Sequence, residues 1–181
     1  VGNNGGDGLA LARMLNQDGY IVKLYKICFS DNPSKDFLLN EDMLLKLNID
    51  IIRIDNTTII PYIDNNDIII DAILGIGLNR PTKGFVKKLI NHINLSNSFT
   101  ISIDTPSGMP SNITFELDSK AIVKADLTLT FECPKLSFLL PNSGKFTGQF
   151  KILPIGLNRS CIDDDDICDY YIDYHFIKKI I

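Results

Sequence analysis

A chain of 181 residues that is 45% hydrophobic can bury one substantial core, so one domain is the expected architecture. A formal net charge of −4 and a pI near 5.1 exclude the basic footprint of a generic nucleic-acid binder, and the short apolar runs, broken by Asp, Asn or Gly, exclude a membrane-spanning helix. Cys28, Cys133, Cys161 and Cys168 contain no C-x-x-C pair and only His92 and His175 accompany them, which argues against a zinc site or disulfide scaffold and for reduced thiols in a cytoplasmic protein.

Val1-Gly2-Asn3-Asn4-Gly5-Gly6-Asp7-Gly8 reads as a glycine-rich loop running into an amphipathic helix with Leu9, Leu11, Ala12, Met14 and Leu15 on its apolar side. Glycine permits positive φ and close backbone approach to a ligand. The free N–H groups and positive end of the helix favour an anion, typically phosphate. The octet is neither a Walker A loop nor G-x-G-x-x-G. A strand is expected over 21–29, then a helix start at Asp31-Asn32-Pro33-Ser34 leading to a face of Phe37, Leu38, Met43, Leu44 and Leu47. Short strands follow at 51–54 and 67–72, a helix at 83–95, and strands at 99–104, 126–131 and 150–155. Strands apolar on both faces and separated by helices predict a Rossmann-like, doubly wound, mainly parallel sheet sandwiched by helices in three α/β/α layers. The four aspartates Asp163 to Asp166 read as a solvated linker within a 158–181 tail, leaving 1–157 as the domain. The chain opens without methionine and inside a motif, as expected of a fragment that lacks its first strand.

In such sheets ligands bind beyond the carboxyl ends of the strands. That edge should gather the opening octet, Asp71-Ala72-Ile73-Leu74-Gly75-Ile76-Gly77-Leu78-Asn79-Arg80-Pro81, Ile103-Asp104-Thr105-Pro106-Ser107-Gly108, and Thr130-Phe131-Glu132-Cys133-Pro134-Lys135. Arg80 could neutralise a phosphate or simply face solvent. The hard oxygen donors Asn4, Asp71 and Ser107 suit an alkali or alkaline-earth cation. An Asp near a Lys can act as base and acid when burial tunes both. From the residues alone, the reading is a site for a phosphate-bearing small molecule with acid/base chemistry.

These four clusters, in this order, resemble the YjeF N-terminal domain family of NAD(P)H-hydrate epimerases over about residues 1–157. The family's GNNGGDG, D-A-[IL]-[LF]-G-x-G-L-x-R, D-[IV]-P-S-G and A-D-x-T-[LIV]-T-F-x-x-P-K patterns stand here as Gly2 to Gly8, Asp71 to Arg80, Asp104 to Gly108 and Ala125 to Lys135. The resemblance implies interconversion of the R and S hydrates of NADH and NADPH (NADHX and NADPHX). It places Asn3, Asn4, Gly5, Gly6 and Asp7, with Gly75, Ile76, Gly77, Leu78, Asn79, Arg80 and Pro81, along the pyrophosphate and nucleotide of the substrate. It assigns Asn4, Asp71 and Ser107, with loop carbonyls, to one potassium ion per subunit. Asp104 would contact the hydrated nicotinamide ring and Lys135 would sit opposite, the two sharing the proton transfers. Three departures are mild: Thr105 where Ile or Val is usual, Ile76 often Thr, and Ser137 often Gly. The resemblance further implies a homodimer, and a covalent or functional link to an ADP- or ATP-dependent hydrate dehydratase, toward which 170–181 would lead unless it is a frayed tail. No nucleic-acid or membrane partner is expected. A non-catalytic binding or scaffold module on the same fold is the competing class. A dinucleotide-dependent dehydrogenase ranks third, because it would want G-x-G-x-x-G and an acidic residue closing the second strand.

Overall fold

Each strand pairing among the described residues is parallel, which follows from helices or long crossovers joining the paired strands. The computed structural model describes residues 1–112, 116–157 and 171–181. Its elements are α1 (Asn3–Gln17), β1 (Leu24–Ile27), α2 (Lys35–Lys46), β2 (Ile51–Ile54), β3 (Ile68–Asp71), α3 (Gly84–Leu95), β4 (Phe99–Ile103), β5 (Leu127–Phe131), the single turn α4 (Leu136–Leu139), a 3-10 turn (Gly144–Phe146), β6 (Gln149–Leu153) and α5 (Tyr174–Ile180). β1 pairs with β2, and β3, β4, β5 and β6 pair in that order. The helices flank these sheets, giving the Rossmann-like α/β/α architecture that the alternation of strand and helix predicts. Tyr171 brings the last segment back onto β6, its ring 6.1 Å from that of Phe150. The acidic run and Tyr170 lie outside the described residues.

The core is in three parts. Val1, Leu9, Phe37, Leu44 and Ile49 join α1 and α2 to the first sheet. Met109, Ile122, Phe138 and Phe146 pack under the last strands, and Val86, Ile90 and Val123 seat α3. Ser34 starts α2 as its composition predicts, accepting the Phe37 N–H at 3.2 Å.

The opening octet corrects the expectation of a loop. α1 already begins at Asn3, and the Gly6 N–H donates to the Gly2 carbonyl in a helical i to i−4 bond of 3.1 Å. Nor do these glycines use positive φ: the glycines that do are Gly19, Gly84, Gly108, Gly148 and Gly156. Close approach is their use, and it is to the protein itself. A Cβ on Gly6 would lie 3.3 Å from the Phe37 backbone nitrogen, and one on Gly8 would lie 2.6 Å from the Ala72 Cβ. The first two turns of α1 are therefore pressed between α2 and the end of β3, which carries Asn4 toward Leu74.

Gly8→Ala is expected to lose about 1–3 kcal/mol of stability by overpacking despite the better helix propensity of alanine. Adding Ala72→Gly should return part of that loss. Urea denaturation of the two single variants and the double variant checks this; additive losses would show that the two residues do not press on each other.

Candidate active site

Parallel register puts the ends of β3, β4 and β5 on one edge: Asp71 pairs with Ser102, Ile103 with Leu129, and Phe131 with Leu153. Asp71 closes β3 and is 1% exposed. Four donors meet its carboxylate. The Ser107 hydroxyl donates to Oδ1 (2.5 Å) and the Ser107 N–H to Oδ2 (2.8 Å). The Ser102 hydroxyl donates to Oδ2 (2.8 Å) and the Ile73 N–H to Oδ1 (3.3 Å). The Ser107 hydroxyl in turn accepts the Leu74 N–H at 2.8 Å, and the Leu74 carbonyl accepts from Asn4 Nδ2 at 3.0 Å. A single network thus connects α1, β3, β4 and the turn after β4.

Within that network two features suit a cation. Asn4 Oδ1 is buried with no hydrogen-bond partner among the described residues. Asp71 has no lysine, arginine or histidine as ion-pair partner there either. Burial pushes the Asp71 carboxyl above its ordinary range, while the hydrogen bonds from Ser107, Ser102 and Ile73 pull the other way. An orphaned oxygen linked through Leu74 and Ser107 to a buried carboxylate with no ion-pair partner among the described residues suits a hard cation. No group of three or more His, Cys, Asp or Glu among the described residues could hold a metal, so a transition-metal centre has no counterpart there.

The second half of the site is an ion pair. Asp104 follows β4 and Lys135 follows β5; Lys135 Nζ lies 3.1 Å from Asp104 Oδ1, and both side chains are largely buried. Lys135 Nζ also donates to the carbonyls of Phe131 (3.1 Å) and Cys133 (3.3 Å), so its three protons have three acceptors. Asp104 Oδ2 points the other way, toward Gly75, where a Cβ would stand 3.4 Å from it and 3.1 Å from the Asn4 Cβ. The missing Cβ at Gly75 thus leaves space between Asn4 and Asp104. Asp7 completes the acidic side: partial desolvation of this surface-facing residue pushes its carboxyl up, with the Asp104 and Asp36 carboxylates adding to the shift.

The sequence profile of a family described as YjeF-related protein N-terminus matches residues 1–137. The chain belongs to that family. It is 32% identical over 166 residues to a protein of Thermofilum pendens named bifunctional NAD(P)H-hydrate repair enzyme Nnr, covering 90% of this chain and 31% of that one. It is 32% identical over 169 residues to a protein of Roseobacter litoralis named NAD(P)H-hydrate epimerase, covering 86% and 74% respectively. The chain therefore spans about a third of the first relative and about three quarters of the second. The crystal structure of yeast ynu0, YNL200c, has the same fold, with a TM-score of 0.61 at 22% identity over 84% of this chain and 61% of that one.

Of the residues singled out in the sequence, Asn4, Asp71, Gly75, Asp104, Ser107 and Lys135 are brought together by the contacts above. Asn3, Asp7, Ile76, Gly77, Asn79 and Arg80 are exposed around them, and Arg80 forms no ion pair among the described residues. Gly5 and Gly6 face α2, with Gly5 against the Phe37 ring, and are packing positions. Leu78 and Pro81 are half-buried. Sequence reasoning missed Ser102, Leu74 and the carbonyls that hold Lys135. Ser102 had a visible signal, since Thr100, Ser102 and Asp104 alternate along one strand; backbone groups had none. Two of the three departures from the family pattern, Thr105 and Ser137, bury hydroxyls that have no partner among the described residues.

Thr105→Val is accordingly expected to raise stability by about 1 kcal/mol, because it removes an unsatisfied buried hydroxyl at little change in shape. Thermal and urea melts would refute this by showing a loss. Asp71 holds its proton in the folded protein at pH values where the unfolded chain has lost it. Its contribution to stability is complete below the ordinary carboxylate value of about 3.9 and is lost as pH rises through the raised folded value. Asp71→Asn should flatten that decline in urea melts run between pH 4 and 7 in alkali-cation-free buffer; parallel curves would overturn the assignment.

Proposed function

We propose that this domain is an NAD(P)H-hydrate epimerase, interconverting the R and S forms of NADHX and NADPHX. The observation that carries the reading is the buried Asp104–Lys135 pair on the strand-end edge beside Gly75, in a chain whose relatives include proteins named for that activity. The substrate carries a hydroxyl on a ring carbon next to the ring nitrogen. Breaking that C–O bond requires a proton on the departing oxygen, and re-addition of water on the other face returns one. In the proposed reaction Lys135 lends a proton to the departing hydroxyl and Asp104 takes one from the entering water. Asp104 Oδ2 is the free acceptor toward the ring, while Lys135, held by two carbonyls, supplies the positive charge and the proton. The ring-opening route would instead take the proton from the hydroxyl and return one to the ring nitrogen as the C–N bond breaks, with the same pair serving as base and acid.

The exposed N–H groups at the start of α1 and the 75–81 segment would carry the pyrophosphate and nucleotide. Asn4, Asp71 and Ser107 would hold one potassium ion per subunit. Its charge, when bound, offsets the buried Asp71 carboxylate near the substrate's phosphates. A homodimer and a dehydratase working on the S form, in the same polypeptide or beside it, complete the proposal; the Thermofilum relative's bifunctional name supports the second.

The test supplies mixed R and S NADHX, an excess of S-specific dehydratase, and the native protein that contains this domain. With potassium, NADH recovery should run past the S fraction well above the spontaneous rate. Asp104→Asn should slow it by about 10²–10⁴-fold, the usual weight of a positioned acid or base. Recovery that stalls at the S fraction in a folded protein would overturn the epimerase and favour a binding module.

A further inference from the structure

Two residues that border the site have the left-handed backbone that side chains other than Gly, Asn and Asp rarely adopt. Asp104 has φ 64° and Glu132 has φ 59°. Each is the first residue after its strand, and each forms the same device. The N–H of Asp104 extends the ladder to the Leu129 carbonyl (2.7 Å), and the next N–H, of Thr105, folds back onto the Ile103 carbonyl (2.8 Å). The N–H of Glu132 extends the ladder to the Leu153 carbonyl (3.0 Å), and that of Cys133 folds back onto the Phe131 carbonyl (2.7 Å). These are three-residue turns with a left-handed centre, the rare and strained form of the γ-turn.

At Asp104 the turn aims a carboxylate at the site. At Glu132 the side chain goes the other way, where its Oε1 accepts the N–H groups of Ile155 (2.5 Å) and Leu157 (3.3 Å) just beyond β6. Glycine would adopt this backbone without strain, so the turn alone does not call for glutamate. What the carboxylate adds is a fixed anchor for the turn on the segment after β6. The carbonyls on either side of it, Phe131 and Cys133, are the two that receive Lys135 Nζ.

We infer that Glu132 is a positioning residue that holds Lys135. Its tether to Ile155 and Leu157 fixes the Phe131–Cys133 turn, and that turn supplies two of the three acceptors of the ammonium, leaving Asp104 as the third. The inference rests on the assignment of Lys135 and Asp104 as the reacting pair only for its catalytic consequence. The tether's hold on the lysine is a separate, measurable property.

The experiment compares Glu132→Ala, Glu132→Gln and Glu132→Gly with the native full-length protein by two readouts. The first is the rate of reductive dimethylation of Lys135, followed site by site by mass spectrometry. The second is kcat and KM in the coupled epimerase assay. Losing a tether built on charge-assisted hydrogen bonds should speed Lys135 modification about 5-fold in Glu132→Ala and lower kcat about 10-fold with KM nearly unchanged. Glu132→Gln keeps an acceptor oxygen and should restore both to within about 3-fold of the native values. Glu132→Gly relieves the backbone but not the lost tether, so it should match Glu132→Ala in both readouts while folding at least as well. Native modification rates in Glu132→Ala, or no rescue by Glu132→Gln, would overturn the inference. A native protein without epimerase activity whose Lys135 reactivity still follows this order would overturn the proposed reaction and leave the positioning role standing.

Discussion

The buried carboxylate of Asp71 is the constraint around which this edge of the molecule is arranged. A carboxylate out of water must find donors or lose its charge, and here the donors come from three places in the chain: Ser102 on β4, Ser107 on the turn after it, and the backbone at Ile73. Satisfying Asp71 therefore fixes how the β4 turn lies over the end of β3. Because Ser107 also engages Leu74, and Leu74 engages Asn4, the same requirement locates α1. The groups along this edge are held by a network whose core members, Asp71, Ser102 and Ser107, are buried.

That network would not close if α1 stood farther off. Gly6 and Gly8 remove the side chains that would hold α1 away from α2 and from the end of β3. Close packing and polar satisfaction are thus one problem at this place: the missing Cβ atoms bring Asn4 within reach of Leu74. On the opposite side, the Asp104–Lys135 pair is organised by strand-end turns, so its geometry depends on sheet register more than on helix packing.

Much of this was legible in the sequence because the parallel fold writes itself as β-branched runs ending in Asp71, Asp104 and the Phe131–Lys135 segment. Periodicity placed every strand to within a few residues, and Ser34 announced its cap. The octet was misread because its glycines look like loop residues. Their helical state depends on what they press against, Phe37 and Ala72, which lie about thirty and sixty-five residues away in sequence. Lys135 was visible as chemistry, but its Phe131 and Cys133 acceptors were not, since main-chain carbonyls carry no residue signature. Glu132 was not singled out in the sequence; its left-handed backbone and its bonds to 155–157 distinguish it in the structure.

The left-handed turn at Asp104 has a consequence for how lineages of this domain drift. On the proposed reaction, selection acts on that position twice, once for a carboxylate and once for a side chain that tolerates φ 64°. Were that chemistry to be abandoned, the backbone would still favour aspartate, asparagine or glycine, although Glu132 holds the same conformation. An aspartate there is then weak testimony that a descendant still turns over substrate. Lys135, about thirty residues farther along and with ordinary extended backbone, is under no such restraint, so on the proposed reaction its loss would be the more telling sign.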